Sequence, residues 1–168
     1  NATIKVEVSN AAVGTEGSHH AFQIVGNHTL TLNGVTMNIT ETGTGTVGTY
    51  GIDVQYGSML VLDNADLTIS NVSNATISAG SGTNPGQFKI LNGSTVTATD
   101  MVIKHSNGDV WTIQNSELDI NGCASHGLSA DAVTVDNSIV TITNAAYRGI
   151  SVNGTHGVDG NLLIINGS

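Results

Sequence analysis

Carboxylate side chains are the residues of this sequence best suited to chemistry, and six of the 13 form three short groups. The groups are Asp63 with Asp66, Glu117 with Asp119, and Asp131 with Asp136. Glu117 and Asp119 alternate with apolar Leu118 and Ile120, so on a strand both acids point to one face, about 7 Å apart. Such a pair suits weak calcium binding or acid–base work.

An acidic pair is also ordinary on the solvent face of a strand, where it deters edge pairing. In the repeat described below, the outward positions equivalent to this pair are predicted to be Met59/Val61, Thr95/Thr97 and Ile139/Thr141. None of them is a carboxylate, so we expect no catalytic residues and no enzyme. Glu117 and Asp119 remain weak candidates for calcium, and no other cofactor is expected.

Histidine and aromatic residues offer two further kinds of contact. The six histidines are predicted to be exposed corner residues, because the adjacent His19 and His20 do not make a metal-ligand set. Trp111 takes an inward position in the repeat and is predicted to be core. Tyr56 and Tyr147 lie near corners and are the candidates for surface contact. The single cysteine, Cys123, allows no disulfide within the chain.

The charge balance limits the partners of the chain. Charged residues make up only 10%, the net charge is −9, and the four basic residues are scattered. Binding to nucleic acid or to an anionic membrane needs clustered Lys and Arg, so neither is expected. No apolar run is long enough for a transmembrane helix.

Asn-x-Ser/Thr sequons are frequent and mark candidate glycosylation sites in a secreted protein. They lie at Asn1, Asn27, Asn38, Asn71, Asn74, Asn92, Asn153 and Asn166. A chain rich in Asn, Ser and Thr also forms sequons by chance. Together with the scarcity of Lys and Cys, they favour an extracellular or cell-surface location.

A repeat of apolar-x-apolar, small polar turn, apolar-x-apolar positions these residues. Its first pairs are predicted as Phe22/Ile24, Ile52/Val54, Phe88/Ile90, Trp111/Ile113, Val133/Val135 and Leu162/Ile164. Its second pairs are predicted as Leu30/Leu32, Leu60/Leu62, Val96/Ala98, Leu118/Ile120 and Val140/Ile142. Period-two alternation indicates strands with one buried face, and Asn, Gly and Ser supply the corners.

Short strands that recur about every 22 to 36 residues predict an all-β parallel β-solenoid of about six to seven coils. Residues 1–168 are expected to form a single domain, either one subunit of a fibre or a fragment of a longer solenoid. An antiparallel sandwich is the alternative, because it also contains many short strands.

The segments "VTVDNSIVTITN" and "ILNGSTVTATD" resemble coils of the right-handed parallel β-helices of the pectin-lyase-like superfamily, in particular adhesin-like surface proteins of bacteria and archaea. The resemblance covers the chain from about Phe22 to Ser168. It implies the fold but leaves the function open, since such coils occur in lyases, hydrolases, adhesins and fibres. The "NTD", "GHG" and "RIK" patterns of polygalacturonases are absent.

The first and last segments, "NATIKVEV" and "NLLIINGS", alternate like strands and show no capping element. Open coil edges invite strand addition, so head-to-tail joining with other copies is expected if the edges are functional. The function expected from the sequence is a non-enzymatic structural or adhesive component of a cell-surface layer, sheath or filament. The alternative is a β-helix that binds or cleaves carbohydrate, with host or cell-surface glycans as partners.

Overall fold

The computed structural model describes residues 2–9, 19–42, 49–72, 75–79, 86–101, 110–123, 126–154 and 160–168. Within these ranges the chain forms strands and turns and no helix. The strands are β1 (Ala2–Ser9), β2 (His19–Ile24), β3 (Thr29–Asn33), β4 (Val35–Thr42), β5 (Thr49–Val54), β6 (Met59–Asp63), β7 (Asp66–Ser70), β8 (Ala75–Ala79), β9 (Gln87–Leu91), β10 (Thr95–Met101), β11 (Val110–Gln114), β12 (Glu117–Cys123), β13 (His126–Ala130), β14 (Ala132–Asp136), β15 (Ile139–Ala145), β16 (Arg148–Val152) and β17 (Asn161–Ile165).

The strands form two long sheets and two short ones. Sheet 1 has the order β1-β4-β7-β10-β12-β15, and sheet 2 has the order β3-β6-β9-β11-β14-β17. Sheet 3 contains β2-β5-β8, and sheet 4 contains β13-β16. Every pairing in the described chain is parallel, with partners from 22 residues apart (Thr95 and Glu117) to 33 (Ala2 and Val35). The prediction of an all-β chain with parallel strands is confirmed, and an antiparallel sandwich does not fit these pairings.

The predicted repeat is out of step by one strand in its first two copies. Phe88 pairs with Leu60, not with Ile52. Phe22 and Ile52 instead lie in sheet 3. The error has a simple physical cause. Several repeats in the described chain contain three apolar-x-apolar strands separated by polar corners, so the pattern of one strand also fits the next.

The core is built from inward side chains that stack on the same position of the neighbouring strand. In sheet 2, one such column runs Leu30, Leu60, Phe88, Trp111, Val133 and Leu162. Trp111 is 2% exposed, as predicted, and its ring stacks on Phe88 with centroids 4.5 Å apart. Burial of such side chains supplies most of the stability of each layer, since one layer alone cannot cover its apolar face.

Asparagines form the corners at which the chain leaves sheet 2. Asn64, Asn92, Asn115, Asn137 and Asn166 all have φ between 47° and 55°. This left-handed region is tolerated by Asn better than by other side chains apart from Gly. The recurring Asn in the sequence therefore fixes where the chain turns from sheet 2 towards sheet 1.

A serine that follows the corner asparagine, directly or after one glycine, links one layer to the next in several corners. Ser138 Oγ accepts a hydrogen bond from the N–H of Ser116 at 3.0 Å and donates to the carbonyl of Asp136 at 2.7 Å. Ser94 and Ser168 make equivalent contacts with the layers beside them. These hydroxyls satisfy backbone groups that the turn takes out of the sheet.

Candidate functional site

A shallow groove crosses three neighbouring corners at the junction of sheets 2 and 1. Its volume is about 290 Å³, and it is lined by Gly93, Ser94, Thr95, Asn115, Ser116, Glu117, Asn137, Ser138 and Ile139. The three serines are buried, and their hydroxyl groups form hydrogen bonds within the corners. The exposed lining therefore consists of amides, one carboxylate and an aliphatic side chain.

The side chains of the groove combine polar and apolar contacts. Asn137 Nδ2 donates to Asn115 Oδ1 at 2.8 Å, which aligns the two amides across neighbouring layers. Ile139 is 61% exposed, an unusual exposure for a large aliphatic residue within a strand. Glu117 lies beside it in register. Hydroxyl groups can bond to the carboxylate and amides while C–H groups pack on Ile139, which is the chemistry of a sugar-binding surface.

Glu117 and Asp119 lie on the outer face of β12, and their nearest neighbours are those predicted. Thr95 and Thr97 pair with them on one side, and Ile139 and Thr141 on the other. The prediction that Met59 and Val61 occupy equivalent positions was wrong, because these residues belong to sheet 2. In sheet 1, the strand beyond β10 is β7, which places Asp66 beside Thr95. Asp66 thus lies two strands from Glu117, about 9.6 Å away.

No group of three or more His, Cys, Asp or Glu side chains suited to a metal occurs in the described part of the chain. Glu117 and Asp119 therefore offer only their two carboxylates. A calcium ion prefers six to eight oxygen ligands, so water or an added ligand would have to supply most of them. Calcium at this pair stays a weak candidate.

Other candidate carboxylates are used in the structure of the corners. Asp63 accepts hydrogen bonds from Asn33 at 3.0 Å and Asn92 at 2.7 Å. Asp136 accepts one from Gln114 at 3.0 Å and one from Asn166. Each acid joins amides from the layers on both sides of it, which explains its position without a catalytic role.

A buried polar cluster surrounds Asp53, and no sequence pattern predicted it. Asp53 is 1% exposed, and its Oδ2 accepts hydrogen bonds from Gln23 at 3.2 Å and from Gln55. His20 Nδ1 lies 3.4 Å from the same oxygen, and the His20 ring stacks on Tyr50 at 4.8 Å. Among the described residues, Oδ1 of Asp53 has no hydrogen-bond partner, a position that ordered water often fills.

The prediction that the histidines are exposed corner residues can be compared with the structure only for those in the described residues, and among these His28 alone is shown to match it. His28 is exposed at the corner before β3, whereas His20 and His126 are partly buried within β2 and β13. His19 lies in β2 as well. His105 and His156 lie outside the described residues. The strands extend further than the sequence pattern indicated, because polar residues also occupy strand ends.

Both tyrosines singled out from the sequence lie exposed at turns. Tyr56 lies between β5 and β6 with φ of 53°. Tyr147 lies between β15 and β16 and is 69% exposed. Its ring contacts His126 edge-on at 5.2 Å, and the guanidinium of Arg148 lies 5.0 Å from its centroid. The two tyrosines are on different corners and do not form one surface.

The asparagines of the sequons differ in whether their side-chain amides form hydrogen bonds. Asn92 and Asn166 donate to Asp63 and Asp136, so a glycan there would compete with corner hydrogen bonds. Among the described residues, Asn27, Asn38 and Asn71 are exposed without a side-chain hydrogen bond. Asn153 is exposed after β16, and Asn1 and Asn74 lie outside the described residues. Glycosylation at all eight stays a prediction.

Cys123 is buried at the end of β12, and burial raises the pKa of its thiol. Only the thiolate reacts with alkylating agents, so we expect iodoacetamide to modify the native protein at pH 8 at least about tenfold more slowly than the unfolded chain. Because the folded pKa is the higher one, the native rate should keep rising at a pH where the unfolded rate has levelled off. Equal rates for native protein and protein in guanidinium chloride would contradict this placement.

Comparison of the chain with protein-family models, curated proteins and solved structures finds no match. The described residues include no helix that is both long and apolar enough to span a membrane. The resemblance to the pectin-lyase-like superfamily therefore stays an expectation from the sequence, and function has to be inferred from the geometry.

Proposed function

We propose that the chain is a β-solenoid of about six coils that acts as a structural or adhesive, non-enzymatic component of an extracellular layer, sheath or filament. In this proposal, copies associate by adding parallel strands at the edges of their sheets. The observation that carries it is the parallel, in-register stacking of the described strands, because such a stack can be continued by a strand with the same apolar pattern. Leu162 and Ile164 are 48% and 54% exposed, although the equivalent Val133 and Val135 on β14 are buried.

The opposite edge of the same sheets carries a matching pattern. β3, the other edge of sheet 2, has Leu30 and Leu32 at inward positions. A second copy that continues the stack would set these residues on Leu162 and Ile164 of the first. In the same arrangement, Phe22 and Ile24 of β2 would lie on Ile150 and Val152 of β16, and β1 would lie on β15. All three faces would thus continue their apolar columns, which favours a second copy as the added layer.

The test is to place a charge on each face of β17 in turn. Ile164→Asp puts a carboxylate into the proposed joint, whereas Leu163→Asp puts the same charge on the outer face of the same strand, where the exposure is 48%. In sedimentation velocity, we expect concentration-dependent association of the original chain and of Leu163→Asp. We expect at least about a hundredfold weaker association for Ile164→Asp, since a buried unpaired charge is costly.

A single species near 17.1 kDa at every concentration of the original chain would contradict the proposal. So would equal weakening by both substitutions. Circular dichroism on each variant shows whether the strands are retained, and both residues are already half-exposed, so neither change removes core packing.

Carbohydrate binding or cleavage is the second candidate, and the groove lined by Asn115, Glu117, Asn137 and Ile139 favours it. Neutral and acidic oligosaccharides should then shift the amide NMR signals of the groove, and Glu117→Gln should weaken binding about tenfold. Asp66→Asn, on the same sheet face, is the matched control. Release of new reducing ends would indicate cleavage, and the absence of shifts at about 10 mM sugar would remove this candidate.

A further inference from the structure

The corner between β15 and β16 carries a cation that the fold itself does not use. Arg148 is exposed, and among the described residues no carboxylate lies within ion-pair distance of its guanidinium. The guanidinium carbon lies over the face of the Tyr147 ring, 5.0 Å from its centroid. The chain has only four basic residues and a net charge of −9. An exposed guanidinium that forms no ion pair with a described carboxylate is therefore unusual here.

Aromatic contacts orient the guanidinium group. The contact with the face of Tyr147 restricts the Arg148 side chain and leaves its N–H donors available. The Tyr147 ring is itself positioned by the edge-on contact with His126, and His126 is the register partner of Arg148 on the neighbouring strand. A planar guanidinium held in this way can bind a carboxylate through two hydrogen bonds. Because the side chain is already ordered, less conformational entropy is lost when the ligand binds.

Neutral hydrogen-bonding groups lie at the end of β15, just before this corner in the chain. Thr143 and Asn144, at the end of β15, are exposed and donate to Asn121 Oδ1 at 3.0 and 2.9 Å. The Thr143 hydroxyl and the Asn144 amide can form further hydrogen bonds. These neutral groups suit a ligand with hydroxyl groups better than a purely ionic ligand. Arg148 itself is exposed, so its guanidinium is open to solvent.

We propose that Tyr147, Arg148, Thr143 and Asn144 form a binding site for a sugar that carries a carboxylate, such as a uronic or sialic acid residue. Arg148 binds the carboxylate, Tyr147 contacts the ring, and Thr143 with Asn144 bind hydroxyl groups. The site is separate from the groove at Glu117, and it does not depend on association between copies. The negative charge of the rest of the chain favours short acidic sugars over long polyanions.

The test is an NMR titration of the ¹⁵N-labelled full chain at pH 7 and 0.15 M NaCl. The ligands are methyl glucuronide, N-acetylneuraminic acid, methyl glucoside and sodium acetate. We expect saturable shifts at residues 143–149 with one or both acidic sugars, with Kd on the order of 1 mM, and no saturation with glucoside or acetate. The stronger acidic sugar identifies the source of the carboxylate.

Variants separate a built site from general attraction of anions. Arg148→Gln should weaken binding at least about tenfold, and Arg148→Lys, which keeps the charge but loses the fork, should weaken it several-fold. Lys89→Gln, which removes a cation from the outer face of sheet 2, should leave Kd unchanged. Acetate that binds as well as the uronide, or an Arg148→Gln variant that binds normally, would overturn the proposal.

Discussion

Replacing Gly127 with alanine is expected to lower the free energy of unfolding by about 3 kcal/mol. A Cβ at this position would lie 2.3 Å from Cγ2 of Ile142 and 2.8 Å from the carbonyl oxygen of Gly149. Both distances are shorter than real contacts allow, and the carbonyl belongs to the neighbouring strand β16. The added methyl group would therefore push sheet 4 away from the core.

Gly149→Ala is the matched control, since Gly149 lies on the adjacent strand and has nothing within 4 Å of the added Cβ. Its effect should stay within about 0.5 kcal/mol, with a small gain in stability from the restricted unfolded chain. Urea denaturation of both variants, followed by circular dichroism, gives the two free energies. Equal changes in the free energy of unfolding for the two variants would contradict the close packing of β13 against β15 and β16.

Trp111→Ala is the second substitution with a large expected effect, a decrease of about 4 kcal/mol in the free energy of unfolding. The indole is buried between the layers of sheet 2 and stacks on Phe88, so its removal leaves a cavity that neighbouring strands cannot fill without breaking their register. Trp111 Nε1 has no hydrogen-bond partner in the part of the chain that the structure describes. Trp111→Phe therefore loses volume but no hydrogen bond, and should cost about half as much.

Tyr147→Ala provides the comparison for an exposed aromatic ring, with an expected change below about 0.5 kcal/mol. Thermal or urea unfolding of the three variants measures the series. A Trp111→Ala variant as stable as Tyr147→Ala would contradict the burial of Trp111 and with it the core of sheet 2.

Much of the fold can be predicted from the sequence because three simple patterns recur. Alternation of apolar residues marks the strands, Asn marks the corners, and the spacing of the two gives parallel stacking. The same regularity limits the prediction. Phe22 was matched to Phe88 although the two lie in different sheets, because successive strands of one repeat carry the same pattern.

The sites were harder to predict, since they depend on which strands become neighbours. Glu117 is identifiable from its alternation with Leu118, but its place in a groove with Asn137 and Ile139 requires the register of three layers. The cluster at Asp53 joins residues about 30 positions apart and leaves no local pattern. Gly127 gives no turn signal, because its role comes from the approach of Ile142 and not from its own backbone.

The most direct test of the central claim is electron microscopy of the purified chain together with its mass per unit length. Six strands per long sheet, spaced about 4.8 Å apart, predict an axial repeat of about 29 Å for each copy. Filaments with one chain of 17.1 kDa per repeat of that length would support a structural protein that assembles through its sheet edges. Monodisperse particles of a single chain over the whole concentration range would contradict it.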